Sequence, residues 1–280
     1  MNQEIAKKEN AGALATNLFE ADANAGSQNM TQEDLALPFL KVLGQLSPEV
    51  NERDGKYVQG AKPGMILNSV TNEVFDGAKG IDLLPVYYER KYVEWKDRGE
   101  GKGAPVAIHD AESGIIETTT RDKSYKDRLP NGNYLENTAN HFVILLGKSP
   151  QTALISMKAT QLKISRKWNS IMMGIKLQGK NGLFTPPTYS HIYNLKTVQM
   201  SNDKGTWFGW EVSKVGPVED KSVYEIAKNF AERVGKGDVE VKHGSENKDS
   251  TPYYRILGSG RGSESEAAHL KREMYDYIRR

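Results

Sequence analysis

The run from Tyr134 to Leu146 constrains the fold most, because it ends in Phe142-Val-Ile-Leu-Leu146, an unbroken apolar stretch. Side chains of a strand alternate between two faces, so such a stretch needs both faces buried and predicts a central strand. His141, at the edge of the stretch, reads as a core histidine.

The surrounding pattern is also one of strands. Met65–Val70 and Glu73–Phe75 flank Thr71-Asn72, a short hairpin signal. Gly80–Trp95 reads as one long strand, or two joined by a bulge. Its alternation puts Ile81, Leu83, Val93 and Trp95 on one side and Leu84, Val86, Tyr88, Arg90 and Tyr92 on the other. Asp97–Ala104 reads as a mobile loop. Val106–His109 and Ile115–Thr119 predict a hairpin around Ser113-Gly114, followed by a charged loop over 120–132. Thr152–Lys158 is a further strand. Tyr189–Met200 and Thr206–Val212 predict a strand pair joined by the turn Ser201–Gly205. Trp210 shares its side with Phe208 and Val212 and is assigned to the core; Trp207 shares its side with Gly209 and Glu211 and is expected at the surface.

Helices punctuate this pattern. Thr31–Asp34 resembles a capping sequence, and Pro38 and Pro48 bracket a helix packed into the core. Thr160 caps a helix running to about Ile175, with Ile164, Trp168, Ile171 and Ile175 as its apolar stripe. Asp220 caps Lys221–Val234, which Gly235 ends; Val223, Ile226, Ala227, Phe230 and Val234 are its buried face. Thr251–Leu257 reads as an edge strand and Ser263–Arg280 as an amphipathic helix. The fold class predicted is α+β and β-rich, an OB-like barrel with added helices packed on it. Residues 1–30 form a flexible acidic arm, 31–257 a single β-rich domain, and 258–280 a linker and C-terminal helix.

Charge is distributed unevenly over this framework. Asn137–Asn202 contains no Asp or Glu, against Lys148, Lys158, Lys163, Arg166, Lys167, Lys176, Lys180 and Lys196. That block carries +8 in a chain of net charge +2, so the rest sums to −6. Charge gathered this way presents a field to an anion, and a nucleic-acid backbone is the anion that matches its length. A solvated basic face without a partner is the plain alternative. On the Thr160 helix, Lys163, Arg166, Lys167 and Ser170 lie opposite the apolar stripe with no acid among them. Surface helices commonly mix signs to gain i,i+4 pairs, and this one forgoes that gain. Lys158, Lys163, Arg166, Lys167, Lys176 and Lys180 are therefore the expected phosphate contacts. Tyr88, Arg90 and Tyr92 on one strand face, Tyr193, and Trp207 beside Lys204 on a hairpin suit base stacking with phosphate pairing. They equally suit a half-exposed sheet face with snorkelling tips, with Trp207 as a rim residue.

Other chemistries find little support. There is no cysteine, so disulfides and thiolate metal sites are excluded. The five histidines lie too far apart for a helix-spaced zinc pair. Gly147-Lys148-Ser149 has the ending of a phosphate loop, but Phe142 stands where its first glycine belongs. The expectation is no cofactor, no metal and no catalytic residue. No apolar run has membrane-spanning length and the N-terminal stretch has no apolar signal core, which predicts a cytoplasmic protein that makes no membrane contact.

Four stretches, Leu35-Ala-Leu-Pro-Phe-Leu-Lys-Val-Leu43, Lys62-Pro-Gly-Met-Ile-Leu-Asn-Ser69, Phe184-Thr-Pro-Pro-Thr-Tyr-Ser-His191 and Asn202-Asp-Lys-Gly-Thr-Trp-Phe-Gly-Trp210, give a chain that resembles tailed-phage single-stranded DNA-binding proteins of the replication and recombination type. The resemblance implies an OB-like barrel that binds displaced single strands in the host cytoplasm. It carries over no functional residue. The T7-type members carry an acidic C-terminal tail for partner contacts, whereas this sequence ends Ile278-Arg279-Arg280 and has its acidic arm at the other end. Replication or recombination proteins could then be met through that arm or the C-terminal helix, and a homo-oligomer is compatible. Two other functions stay open: a virion structural or assembly protein, and a recombination-associated nuclease or its accessory.

Overall fold

The structure is a computed structural model that describes residues 16, 18–30, 34–97, 99–100, 104–202, 205–239 and 241. The expected cap over residues 31–33, Lys204, the edge strand at 251–257 and the C-terminal helix lie outside the described residues.

Strands β1 (Leu40–Val42), β2 (Ile66–Asn68) and β3 (Val74–Phe75) form a small antiparallel sheet in that order. The β2–β3 hairpin follows the sequence expectation. The Asn68 side chain accepts from the backbone N–H groups of Val70 and Thr71, and Asn72 takes the left-handed turn conformation at φ 57°. The expected helix between Pro38 and Pro48 does not form. Phe39 bridges Leu154, the Leu154 N–H donates to the Pro38 carbonyl at 2.8 Å, and β1 pairs with β2. Tertiary strand pairing overrides local helix signals here, yet Phe39, Leu40 and Leu43 are buried as their apolar character demands.

The main sheet is built on β4 (Ile81–Trp95). Around it lie β5 (Ala107–Asp110), β6 (Thr120–Arg121), β7 (Asp127–Arg128), β8 (Tyr134–Leu145) and β9 (Gln151–Lys158). After helix α1 (Leu162–Gly174) come the separate hairpin β10 (Leu177–Gly179) and β11 (Gly182–Phe184), then β12 (His191–Asn202), β13 (Gly205–Pro217) and helix α2 (Lys221–Lys236). The eight-stranded sheet runs β13-β12-β4-β8-β7-β6, with β5 on β4 and β9 on β8. The antiparallel pair β4–β8 is its spine. The predicted central strand is thus β8, paired on both edges, with Phe142, Val143 and Ile144 buried. The sheet curls into a half-barrel. The small sheet and α1 close its inner face and α2 covers the outer one.

A bulge sets which side chains meet. The register slips between Pro85 and Tyr87, leaving Val86 as an extra residue opposite β8. Pro85 has no N–H to give to the ladder, and a bulge is where a sheet tolerates it. Before the bulge Ile81 and Leu83 face α1; after it Tyr88, Arg90 and Tyr92 do, since Tyr88 pairs with His141 and Arg90 with Ala139. Leu84 and Val86 join Phe142, Ile144 and α2 on the outer face. The simple alternation is therefore corrected on both of its sides: Leu84 and Val86 do not share a face with Tyr88, nor do Val93 and Trp95 with Leu83.

Further differences have local causes. Only Val106–His109 gives a strand, β5. Ile115–Thr118 is a 3-10 turn entered through left-handed Gly114, and Ile115 and Ile116 pack on Tyr92, Leu129 and Leu135. Tyr189 sits in a 3-10 turn before β12, its ring 5.2 Å from that of Tyr224 on α2. Thr160 does not cap α1; a 3-10 turn over Ala159–Gln161 precedes it, with Ala159 at φ 45°. Asp220 caps α2 as expected, accepting from the N–H groups of Ser222 and Val223. The helix ends two residues later than expected, at left-handed Gly237 rather than Gly235. Ala227, Phe230 and Val234 are buried, whereas Ile226 is exposed.

His141 is a core histidine, fully buried in β8. A 2.8 Å hydrogen bond joins its Nε2 to Ser165 Oγ of α1, and its ring stacks on Trp168 at 4.5 Å. Burial holds it neutral and pushes its pKa down to about 3. In the unfolded chain it titrates near 6.5. Its contribution to stability is whole above about pH 6.5 and falls by ~1.4 kcal/mol per pH unit as pH drops toward 3. Between pH 7 and pH 5 the folded state should lose about 2 kcal/mol from this group. His191, also lowered by burial, adds to the loss in the same direction. Urea midpoints at the two pH values check this. His141→Gln should flatten the dependence, and a wild type equally stable at both values would contradict it.

Candidate nucleic-acid interface

The stripe of α1 turns Ser165, Trp168 and Met172 onto the inner face of the sheet, with Ile164 and Ile171 partly buried beside them. Gln161 fixes the start of the helix to β13, its side-chain oxygen accepting from the Trp210 N–H at 3.1 Å. What remains outside is Lys163, Arg166, Lys167 and Ser170, all exposed. Lys176 and Lys180 follow on the stem and turn of the β10–β11 hairpin, with Lys176 Nζ donating to Thr185 Oγ1. Lys163, Arg166, Lys167, Lys176 and Lys180 make no ion pair among the described residues. Ion pairs gather instead at the far end of the β4–β8 spine. There Asp97 holds Lys126 and Arg128 at 2.7 Å each, Asp122 holds Arg128 at 2.9 Å, and Asp110 holds Lys91 at 2.6 Å. Arg128 and Lys126 keep the Asp97 carboxyl down at about 2. Ion pairs thus cluster at that end of the sheet, whereas the outward cations of α1 have none among the described residues.

The aromatic candidates divide. Tyr88 is 36% exposed and shares the α1 face, its ring 5.1 Å from that of His141, which in turn stacks on Trp168. Arg90 is exposed on the same face, with its guanidinium 5.9 Å from the Tyr92 ring centre. Tyr92 itself is buried among Leu129, Leu135, Ile115 and Ile116. Tyr193 is fully buried against Trp168, and burial pushes its hydroxyl up to about 12. Neither ring is an available surface, which corrects the expectation for both. Trp207 is half-buried opposite Met200 in the β12–β13 hairpin. Trp168 and Trp210 are core, as expected.

Lys158 is set apart. It pairs with Thr138, one residue out of phase with the positions that face α1, so its side chain emerges on the opposite side of the sheet. There Nζ binds Glu136 at 2.9 Å and lies 5.7 Å from the Trp95 ring centre. The structure therefore brings together Lys163, Arg166 and Lys167, with Tyr88 and Arg90 on the same layer and Lys176 and Lys180 on the segment that follows. It separates Lys158 from them. The β10–β11 hairpin is an element that the sequence expectations do not contain. The pair Asn181-Gly182 between short apolar runs was the available signal.

Among the described residues no group of three His, Asp or Glu side chains is placed to hold a metal ion. No helix among them is long and apolar enough to cross a membrane. No curated protein and no solved structure matches the chain. A family model does, that of the Pam3 phage gp34-like proteins, over residues 7–240. Because that match covers the whole described fold from β1 to α2, the chain belongs to the Pam3 phage gp34-like family of phage proteins.

Proposed function

We propose that this protein binds single-stranded DNA without sequence preference during phage DNA replication or recombination, acting as a binder and not as an enzyme. The observation that carries the reading is the outward face of α1, where Lys163, Arg166 and Lys167 stand exposed without an acidic neighbour on their own helix. Cations left unneutralised cost mutual repulsion, and a phosphate backbone offsets that cost. The curled β-rich sheet supplies the rigid platform on which α1 is held. Tyr88 and Arg90 stand exposed on the sheet face against which α1 packs. Binding takes place in the host cytoplasm, where displaced single strands arise.

Fluorescence anisotropy with labelled oligo-dT and the matching duplex, across a salt series, tests the reading. Single strands should be preferred and binding should weaken steeply with salt. Replacing Lys163, Arg166 and Lys167 together with alanine should lower affinity and flatten the log–log salt slope by up to about 2, near 0.7 per lost phosphate contact. An unchanged slope would remove α1 from the site. No binding of wild type to either DNA at low salt would sink the reading and favour a virion structural or assembly role.

A further inference from the structure

We propose that the β10–β11 hairpin carries a base-stacking platform, the ring of Phe184, for the same bound single strand; this rests on the single-strand reading above. Phe184 is 46% exposed and pairs across the hairpin with Leu177, so the two share a face. Two residues nearer the turn, that face holds Gly179 opposite Gly182 and has no side chains. A Cβ on Gly179 would lie 3.1 Å from Phe184 Cδ1 and 3.2 Å from Cε1. The ring is therefore laid over the bare backbone of Gly179, supported beneath while nearly half of the residue meets solvent. A supported flat ring is what a base needs to stack on, and it discriminates little between bases.

The charges around it favour a nucleic acid over an apolar protein surface. Lys180 lies exposed in the turn, Lys176 leads into β10, and no acidic residue occurs between Asn137 and Asn202. Burying this hairpin against apolar side chains would strip water from those cations without compensation. A single strand offers a base to the ring and a phosphate to each lysine. The stacking role given to Tyr92 and Tyr193 by the sequence thus passes to a residue that stands in the open.

The test compares wild type, Phe184→Ala and Phe184→Trp in binding oligo-dT and an abasic oligonucleotide of equal length at several salt concentrations. Phe184→Ala should bind oligo-dT about tenfold more weakly. It should bind the abasic strand as wild type does and keep the wild-type salt slope, because no charge is removed. Phe184→Trp should restore oligo-dT binding. Equal binding of oligo-dT by wild type and Phe184→Ala overturns this inference and leaves the single-strand reading standing. Failure of wild type to bind oligo-dT at low salt overturns both. Dissociation of a homodimer by Phe184→Ala, with DNA affinity unchanged, also overturns it and makes the hairpin a contact between copies.

Discussion

Gly77→Ala is expected to cost about 3–5 kcal/mol or to prevent folding. A Cβ at this position would lie 1.8 Å from the Gly64 carbonyl oxygen and 2.1 Å from Thr197 Oγ1, and neither can yield as the tip of a flexible side chain could. Gly77 lies where the small sheet meets β12. The Thr197 N–H donates to the Gly77 carbonyl at 2.8 Å, and the buried Thr197 hydroxyl donates to the Gly64 carbonyl. Making room for a methyl group pulls these partners apart and strands buried polar groups, at about 1–3 kcal/mol each. Gly55→Ala is the matched control, since nothing lies within 4 Å of its Cβ position. Urea denaturation of both variants checks the expectation. A Gly77→Ala midpoint equal to that of the control would mean that the small sheet shifts freely on the main sheet.

Trp168→Ala is expected to destabilise by about 3–5 kcal/mol, the usual range for removing a buried tryptophan. Trp168 is fully buried, stacks on His141, lies 5.8 Å from the Tyr193 ring, and belongs to the cluster holding Met157 and Ile155. It joins α1 to the curled sheet, so its loss also loosens the helix that carries Lys163, Arg166 and Lys167. The same measurement on Trp168→Phe should show a much smaller loss. The Trp168 indole N–H has no hydrogen-bond partner, so phenylalanine gives up volume but no polar contact. If Trp168→Ala were as stable as wild type, α1 would not depend on this packing.

The strands were the most legible part of the sequence because burial imposes the two-residue period directly. β4, β8, β9 and β12 all appear close to their expected bounds, β13 runs five residues past its expected end to Pro217, and the apolar run of β8 places it at the centre. Helix α2 was legible through Asp220, whose cap is local chemistry. The stretch from Pro38 to Pro48 was misread because its apolar residues satisfy a helix stripe and a buried strand equally. Only the backbone groups of Leu154, Asn68 and Ser69 decide between them. Ile115–Thr119 differs for a related reason, since its isoleucines are half-buried against Tyr92 without being paired.

The basic candidates follow the same division. The acid-free block and the opposition of Trp168 to Lys163, Arg166 and Lys167 are properties of the sequence, because a helix of 3.6 residues per turn fixes which side chains share a face. Sequence by itself also determined the β-rich α+β class and the burial of His141, Trp168 and Trp210. Whether a ring on a strand is a surface or a core group was decided only by tertiary structure. Tyr88 and Tyr92 have the same parity, yet one is exposed and the other is buried, because Leu129 and the turn carrying Ile115 and Ile116, remote in sequence, pack on it. Tyr193 is covered in the same way by α1, Phe184 is left open, and Lys158 is turned to the far side of the sheet beside Glu136. Local periodicity assigns a side chain to a face, but what covers that face is set by contacts between distant segments, which no window of sequence contains.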